Sequence, residues 1–259
     1  MINNHKPVQR AREFLRSIGW TKPGDLSLDE MLNFKGSSIH QAELKNCEGR
    51  VILHGQNSIV RINSNITNDG KRNFVLAHEL GHILLHPTLM PVFSDTRLTL
   101  SDWYKKGTHE IEANAFATEL LMPQDLFKQK VKGKKLTISL MEDVANYFKV
   151  SLTASFLRYL THGDFPLMVV FIERGIIEWK HASNDFPFPY LPFKNKVPIY
   201  SVAGDYFYNQ VAFGDQPDKV NVIDWFPEDF QAQKASSWQI YEQCFHVSRT
   251  GIISCLWTF

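Results

Sequence analysis

Apolar positions recur at helical spacing over residues 7–18, where Val8, Ala11, Phe14, Leu15 and Ile18 fall on one face, and residues 25–32 read as a second helix. The runs 50–54 and 58–63, joined by Gly55-Gln56-Asn57, have the composition of a β-hairpin. Residues 73–85 are apolar around most of their circumference, which predicts a buried helix, and 108–123 form an amphipathic helix that Pro123 ends. A lysine-rich stretch (Lys128, Lys130, Lys132, Lys134, Lys135) precedes 139–160, which reads as helix, turn, helix with Ala145, Phe148, Val150 and Ser151 at its packing and capping places. From Phe165 the texture changes to short β-type runs at 167–173, 176–181, 219–225, 238–246 and 251–259. Arg174-Gly175 is placed for a tight hairpin turn, and 187–198 is proline-punctuated loop. The class is α+β, divided at about 136 and 163 into an N-terminal domain, a helix-turn-helix-like segment packed on it, and a C-terminal α+β domain.

The buried helix carries the chemistry, in the box His78-Glu79-Leu80-Gly81-His82. At about 3.6 residues per turn, His78 and His82 lie one turn apart on one face, so two imidazole nitrogens can converge on one ion about 2 Å away. Glu79 sits beside them, able to take a proton from a water activated at the metal without being a ligand. A buried helix holding two histidines and a glutamate needs a partner for them, and a metal supplies it.

A catalytic zinc takes three protein ligands, so a third is expected downstream. His86 is a poor choice: the helical rise between His78 and His86 is about 12 Å, too far for three successive histidines to reach one ion. The longer H-E-x-x-H-x-x-G-x-x-H pattern is absent, since Leu85 and Thr88 stand at its last two places. Glu110 is better placed, on one helical stripe with Asn114, Ala117 and Leu121. Asn114 can accept the remaining N–H of a ligating histidine and fix its ring. Glu112 is the rival, projecting about 200° away from Glu110. Between the two helices, 87–107 has the length of an active-site lid, and Tyr104 and His109 are candidate donors to a developing oxyanion. The strand at 58–63 either lies beside the metal with a free edge for an extended substrate or is interior to a sheet.

The run Phe74-Val75-Leu76-Ala77-His78-Glu79-Leu80-Gly81-His82-Ile83-Leu84-Leu85-His86, followed by Glu110-Ile111-Glu112-Ala113-Asn114-Ala115-Phe116-Ala117 and Leu120-Leu121-Met122-Pro123, resembles the ImmA/IrrE family of metallo-endopeptidases. The resemblance extends over roughly residues 10–160. It implies a zincin-like metallopeptidase domain that cleaves helix-turn-helix repressors in bacteria, mobile elements and phages, relieving repression after a stress signal. Carried over, the zinc ligands fall on His78, His82 and Glu110 and the catalytic glutamate on Glu79, with Mn²⁺ a substitute in vitro. Some members carry a GAF-like sensor domain, with which the C-terminal strands are compatible.

Composition changes little. The chain has 259 residues, 44% of them hydrophobic, and a net charge of +1, which gives no push toward nucleic acid or membrane. Cys47, Cys244 and Cys255 are too few and too scattered for a disulfide framework, which favours a reducing cytoplasm. Residues 1–6 contain no apolar core of a signal peptide, and no run is long enough to span a bilayer. For DNA binding, the second helix of the 139–160 pair offers only Arg158 as a basic reader, so a helical pair closing the core is favoured. An alternative class, a zinc-containing regulator that binds a repressor or DNA without cleaving, has no use for a base at Glu79. A peptidase for general peptides is a third reading.

Overall fold

The computed structural model describes residues 5–45, 47–54, 57–87, 92–94, 107–192 and 194–258. The chain forms two compact units, one from Met1–Phe127 with Val144–Ser151, the other from Lys128–Asp143 with Leu152–Phe259. The fold is mixed α and β.

The first unit contains α1 (His5–Ser17), α2 (Leu28–Phe34), β1 (Ser37–Ala42), β2 (Gly49–His54), β3 (Asn57–Asn63), α3 (Asp69–Leu85), β4 (Val92–Ser94) and α4 (Thr108–Leu121). α2 starts later than the apolar pattern suggests because Ser27 and Glu30 form a capping box, each side chain bonding the other's backbone N–H. Asp25 instead closes a turn, accepting from the backbone of Thr21 and Lys22. β2 and β3 form the expected antiparallel hairpin, with His54 opposite Asn57. The four strands run in the order β1-β3-β2-β4, and β1 joins β3 in parallel. β1 has no sequence signature, since its alternate faces are mostly solvated. Its pairing makes β3 interior, so the free-edge role open to residues 58–63 does not hold for that strand.

The sheet packs on α3, whose residues from Phe74 through His82 are all buried. Asn68 caps that helix by accepting from Lys71 N at 2.8 Å. Two charge-assisted clamps fix the helices around it. Arg72 donates twice to Asp29 (2.8 and 2.7 Å), tying α3 to α2, and the Arg12 guanidinium donates to the buried Glu119 (2.7 Å), tying α1 to α4.

The chain passes from one unit to the other within α5 (Gln124–Val131), again within α6 (Ile138–Phe148), and a third time after Ser151. α7 (Leu152–His162) follows a three-residue turn in which Lys149 has φ 54°. Arg158, the sole lysine or arginine of α7, is buried. The second unit then builds β5 (Leu167–Glu173), β6 (Ile176–Ala182), α8 (Val202–Asn209), β7 (Asp218–Asn221), α9 (Val222–Trp225), α10 (Phe230–Lys234), β8 (Gln239–His246) and β9 (Gly251–Trp257). Its five strands are antiparallel throughout, in the order β6-β5-β9-β8-β7. Arg174 and Gly175 both have positive φ (51° and 78°), the conformation a two-residue hairpin turn demands.

The strand expected over 219–225 ends early: Asn221 starts a helical turn that drives Val222 and Trp225 into the core. The Trp225 indole N–H there donates to Glu242 at 2.8 Å. Glu242, fully buried on β8, also accepts from the backbone N–H groups of Val202 and Ala203 (both 3.0 Å) and from the Ser254 hydroxyl (2.9 Å). One carboxylate therefore pins α8, α9 and β9 together, and its burial still pushes its pKa up against these donors. Among the described residues, no helix is long and apolar enough to cross a membrane.

Candidate metal centre

α3 and α4 are packed closely along their length, and the residues at their crossing are small. A Cβ on Gly81 would lie 3.2 Å from Ala113 Cα, from its carbonyl oxygen and from Phe116 Cδ1, so the backbones approach more closely than larger residues allow. Glycine inside a helix costs about 1 kcal/mol relative to alanine, and here it is the condition of the approach. The crossing brings Glu110 of α4 over the two histidines of α3.

His78 Nε2 and His82 Nε2 are 2.9 Å apart. Glu110 Oε2 is 3.2 Å from the first and Glu110 Oε1 3.3 Å from the second. An ion held by bonds of about 2.0–2.2 Å in a tetrahedron separates its ligands by roughly 3.3–3.6 Å, so the three side chains fit such an ion with small adjustments. The donor chemistry agrees. Asn114 Oδ1 can only accept, so His78 Nδ1, at 2.8 Å, carries the proton and Nε2 presents its lone pair.

Burial lowers the pKa of His82 to about 4 despite the opposing pull of Glu110, leaving the neutral, ligating imidazole at neutral pH. Burial of Glu110 favours its neutral acid, but the close approach of His78 and His82 outweighs it and holds the carboxyl well below the usual range. Both imidazoles are essentially inaccessible, whereas the Glu110 side chain is 19% exposed and leaves the centre one open side.

Glu79 is buried at the inner side of the same helix. Its carboxylate lies against β2 at Gly49, where an added Cβ would sit 2.5 Å from Glu79 Oε1 and 2.6 Å from Val75 Cγ1. Gly49 is thus a close neighbour of Glu79 that no motif reveals. Its signal in the sequence is only a glycine opening a strand.

Glu112 and His86 stay apart from this trio. The His86 Nε2 is 3.5 Å from Glu112 Oε2, and the His86 ring packs edge-on against His109 at a centroid distance of 4.6 Å. His109 itself is exposed. Tyr104 and most of the 87–107 segment lie outside the described residues.

Residues 38–157 match the family model described as Peptidase_M78, an IrrE N-terminal-like domain. A curated relative, uncharacterized immunity region protein 2 of Bacillus phage phi105, is 39% identical over 90 residues, which cover 35% of this chain and 51% of that protein. The chain therefore spans about half the length of that relative. Among solved structures, a Mycobacterium tuberculosis transcriptional regulator superposes with a TM-score of 0.60 over 98% of this chain and 87% of that one. At 15% identity the likeness is one of fold.

Two outcomes follow from the geometry. Gly81→Val must force α4 outward or strain the crossing, and overpacking of this kind costs about 1–3 kcal/mol. Metal affinity, measured by chelator competition, should fall roughly tenfold or more; unchanged affinity would contradict the close-approach argument. For pH, a histidine whose folded pKa is depressed gives stability that is complete above its unfolded value of about 6.5 and is lost as pH falls toward 4. The melting temperature of chelator-treated protein should therefore drop progressively below pH 6.5, and a flat profile from pH 8 to 5 would refute the assignment.

Proposed function

We propose, from the match of residues 38–157 to the IrrE N-terminal-like domain model, that this chain is a zinc-dependent endopeptidase that cleaves a helix-turn-helix repressor. The observation that carries the reading is the meeting of His78, His82 and Glu110 with Glu79 on the same helix. His78, His82 and Glu110 would hold the ion. When bound, zinc supplies Lewis acidity to the scissile carbonyl and to the attacking water.

The protein's own groups do the remaining work. Glu79 takes a proton from the attacking water and passes it to the leaving amine, the double task of a general acid–base. Packing against Gly49 holds that carboxylate in place. Asn114 keeps the His78 ring in the orientation that aims Nε2 at the ion. Zn²⁺ suits two imidazoles and a carboxylate, and Mn²⁺ can replace it in vitro.

A repressor is the substrate class that the phage relative's description as an immunity region protein favours. The structural neighbour's description as a transcriptional regulator agrees with that setting. Protein is favoured over DNA as partner, since burial of Arg158 leaves α7 without an exposed lysine or arginine. The α6–α7 pair then serves as a helix-turn-helix-like packing element rather than a reader. The antiparallel sheet of the second unit, backed by short helices, is read as a GAF-like regulatory domain. Three buried free cysteines suit a reducing cytoplasm.

The test is incubation of the purified protein with Zn²⁺ and the helix-turn-helix regulator encoded beside it, with fragments followed by mass spectrometry. Wild type should cleave and chelator should stop it. Glu79→Gln should retain zinc and lose cleavage by about 10²–10⁴-fold. Cleavage by that variant at the wild-type rate would sink the mechanism, and release of the repressor without fragments would favour a regulator that acts by binding.

A further inference from the structure

α3 does not end at the centre described above. His86 caps the helix, its backbone N–H bonded to His82 O at 3.0 Å, and its side chain is buried with only 4% of its surface exposed. Across from it, α4 presents His109 and Glu112, an i, i+3 pair that shares one face of the helix. One ligand atom from each of His86, His109 and Glu112 lies within 4.8 Å of the other two. The His86 Nε2 is 3.5 Å from Glu112 Oε2 and 3.3 Å from the His109 carbonyl oxygen.

The same donor set, two imidazoles and one carboxylate, is therefore repeated one turn further along α3, with residues that flank Glu110 on α4. The two sets cannot share an ion. His78 and His86 are separated by about 12 Å of helix rise, some six times the length of a zinc–nitrogen bond, so no ion bound between His78 and His82 reaches His86 as well. Glu110 faces His78 and His82, while Glu112 faces His86. The sets also differ in solvation. His109 is exposed and the Glu112 side chain is 24% exposed, against a first set with both histidines buried. At 3.5 Å the His86–Glu112 contact is long for a hydrogen bond. Closing the trio to the roughly 3.3–3.6 Å spacing of a zinc tetrahedron asks for separations shorter by little more than about 1 Å.

We propose that His86, His109 and Glu112 form a second, weaker site for a divalent transition metal such as Zn²⁺, one helical turn from the first. Two features make it the weaker of the two. Water reaches His109 and Glu112, and an ion in the first centre places positive charge beside them. Solvent then fills its remaining coordination positions.

Metal-free full-length protein titrated with Zn²⁺ tests this, with calorimetry giving affinities and elemental analysis giving stoichiometry. Wild type should bind two equivalents, the second at least tenfold more weakly. His109→Ala and Glu112→Gln alter accessible side chains and should fold normally by circular dichroism. Each should bind one equivalent at the undisturbed first-site affinity, whereas His78→Ala should lose the tight equivalent and retain the weak one. Wild type saturating at one equivalent, either α4 variant keeping two, or His109→Ala losing both ions would overturn the second site. The tight equivalent is scored separately, so failure of the second site is distinguishable from failure of the proposed peptidase centre.

Discussion

The close crossing of α3 and α4 is the constraint on which the rest depends. Gly81 and Ala113 let two helix backbones meet where any branched side chain would hold them apart. Only at that separation can the Glu110 carboxylate reach imidazoles on the neighbouring helix at 3.2 and 3.3 Å. The surrounding architecture defends it. Arg12 on Glu119 fixes α4 against α1, Arg72 on Asp29 fixes α3 against α2, and the four-stranded sheet covers the opposite side of α3.

Burial gives this arrangement its chemistry. Inside the unit, the His82 imidazole stays neutral because protonation there is costly, and the Glu110 carboxylate survives as an anion because His78 and His82 lie against it. Neutral nitrogens and an anionic oxygen are the forms that ligate a metal, so the environment prepares the ligands before any ion arrives. The strand glycine at position 49 lets Glu79 lie flat against the sheet. In the second unit Glu242 shows a different use of a buried carboxylate, as a tie for three elements that each donate to it.

Much of the centre was legible in the sequence because it is local. A four-residue spacing on a helix fixes His78 and His82 on one face without knowledge of the fold, and the same arithmetic places Glu110 and Asn114 together on α4. The hairpin of β2 and β3 and the turn at Arg174-Gly175 were legible for the same reason. What the sequence concealed depends on contacts between distant segments. β1 shows no alternation because both of its faces are mostly solvated, yet its pairing deprives β3 of a free edge. The helical turn at Val222–Trp225 looks like strand until Glu242 offers the Trp225 indole a partner. Gly49 has no local reason to matter, and the gathering of His86 with His109 and Glu112 appears only once α4 is laid across the end of α3.

The central claim is that helix crossing assembles a two-histidine, one-glutamate metal centre. X-ray absorption at the zinc edge, recorded on protein loaded with one equivalent, addresses it most directly. The account predicts two imidazole nitrogens with the remaining ligands oxygen, at about 2.0–2.2 Å and with no sulfur in the shell. It also predicts that Glu110→Ala alters the oxygen part of the spectrum while both imidazoles remain. A sulfur ligand, three imidazoles, or a spectrum indifferent to Glu110 would contradict it.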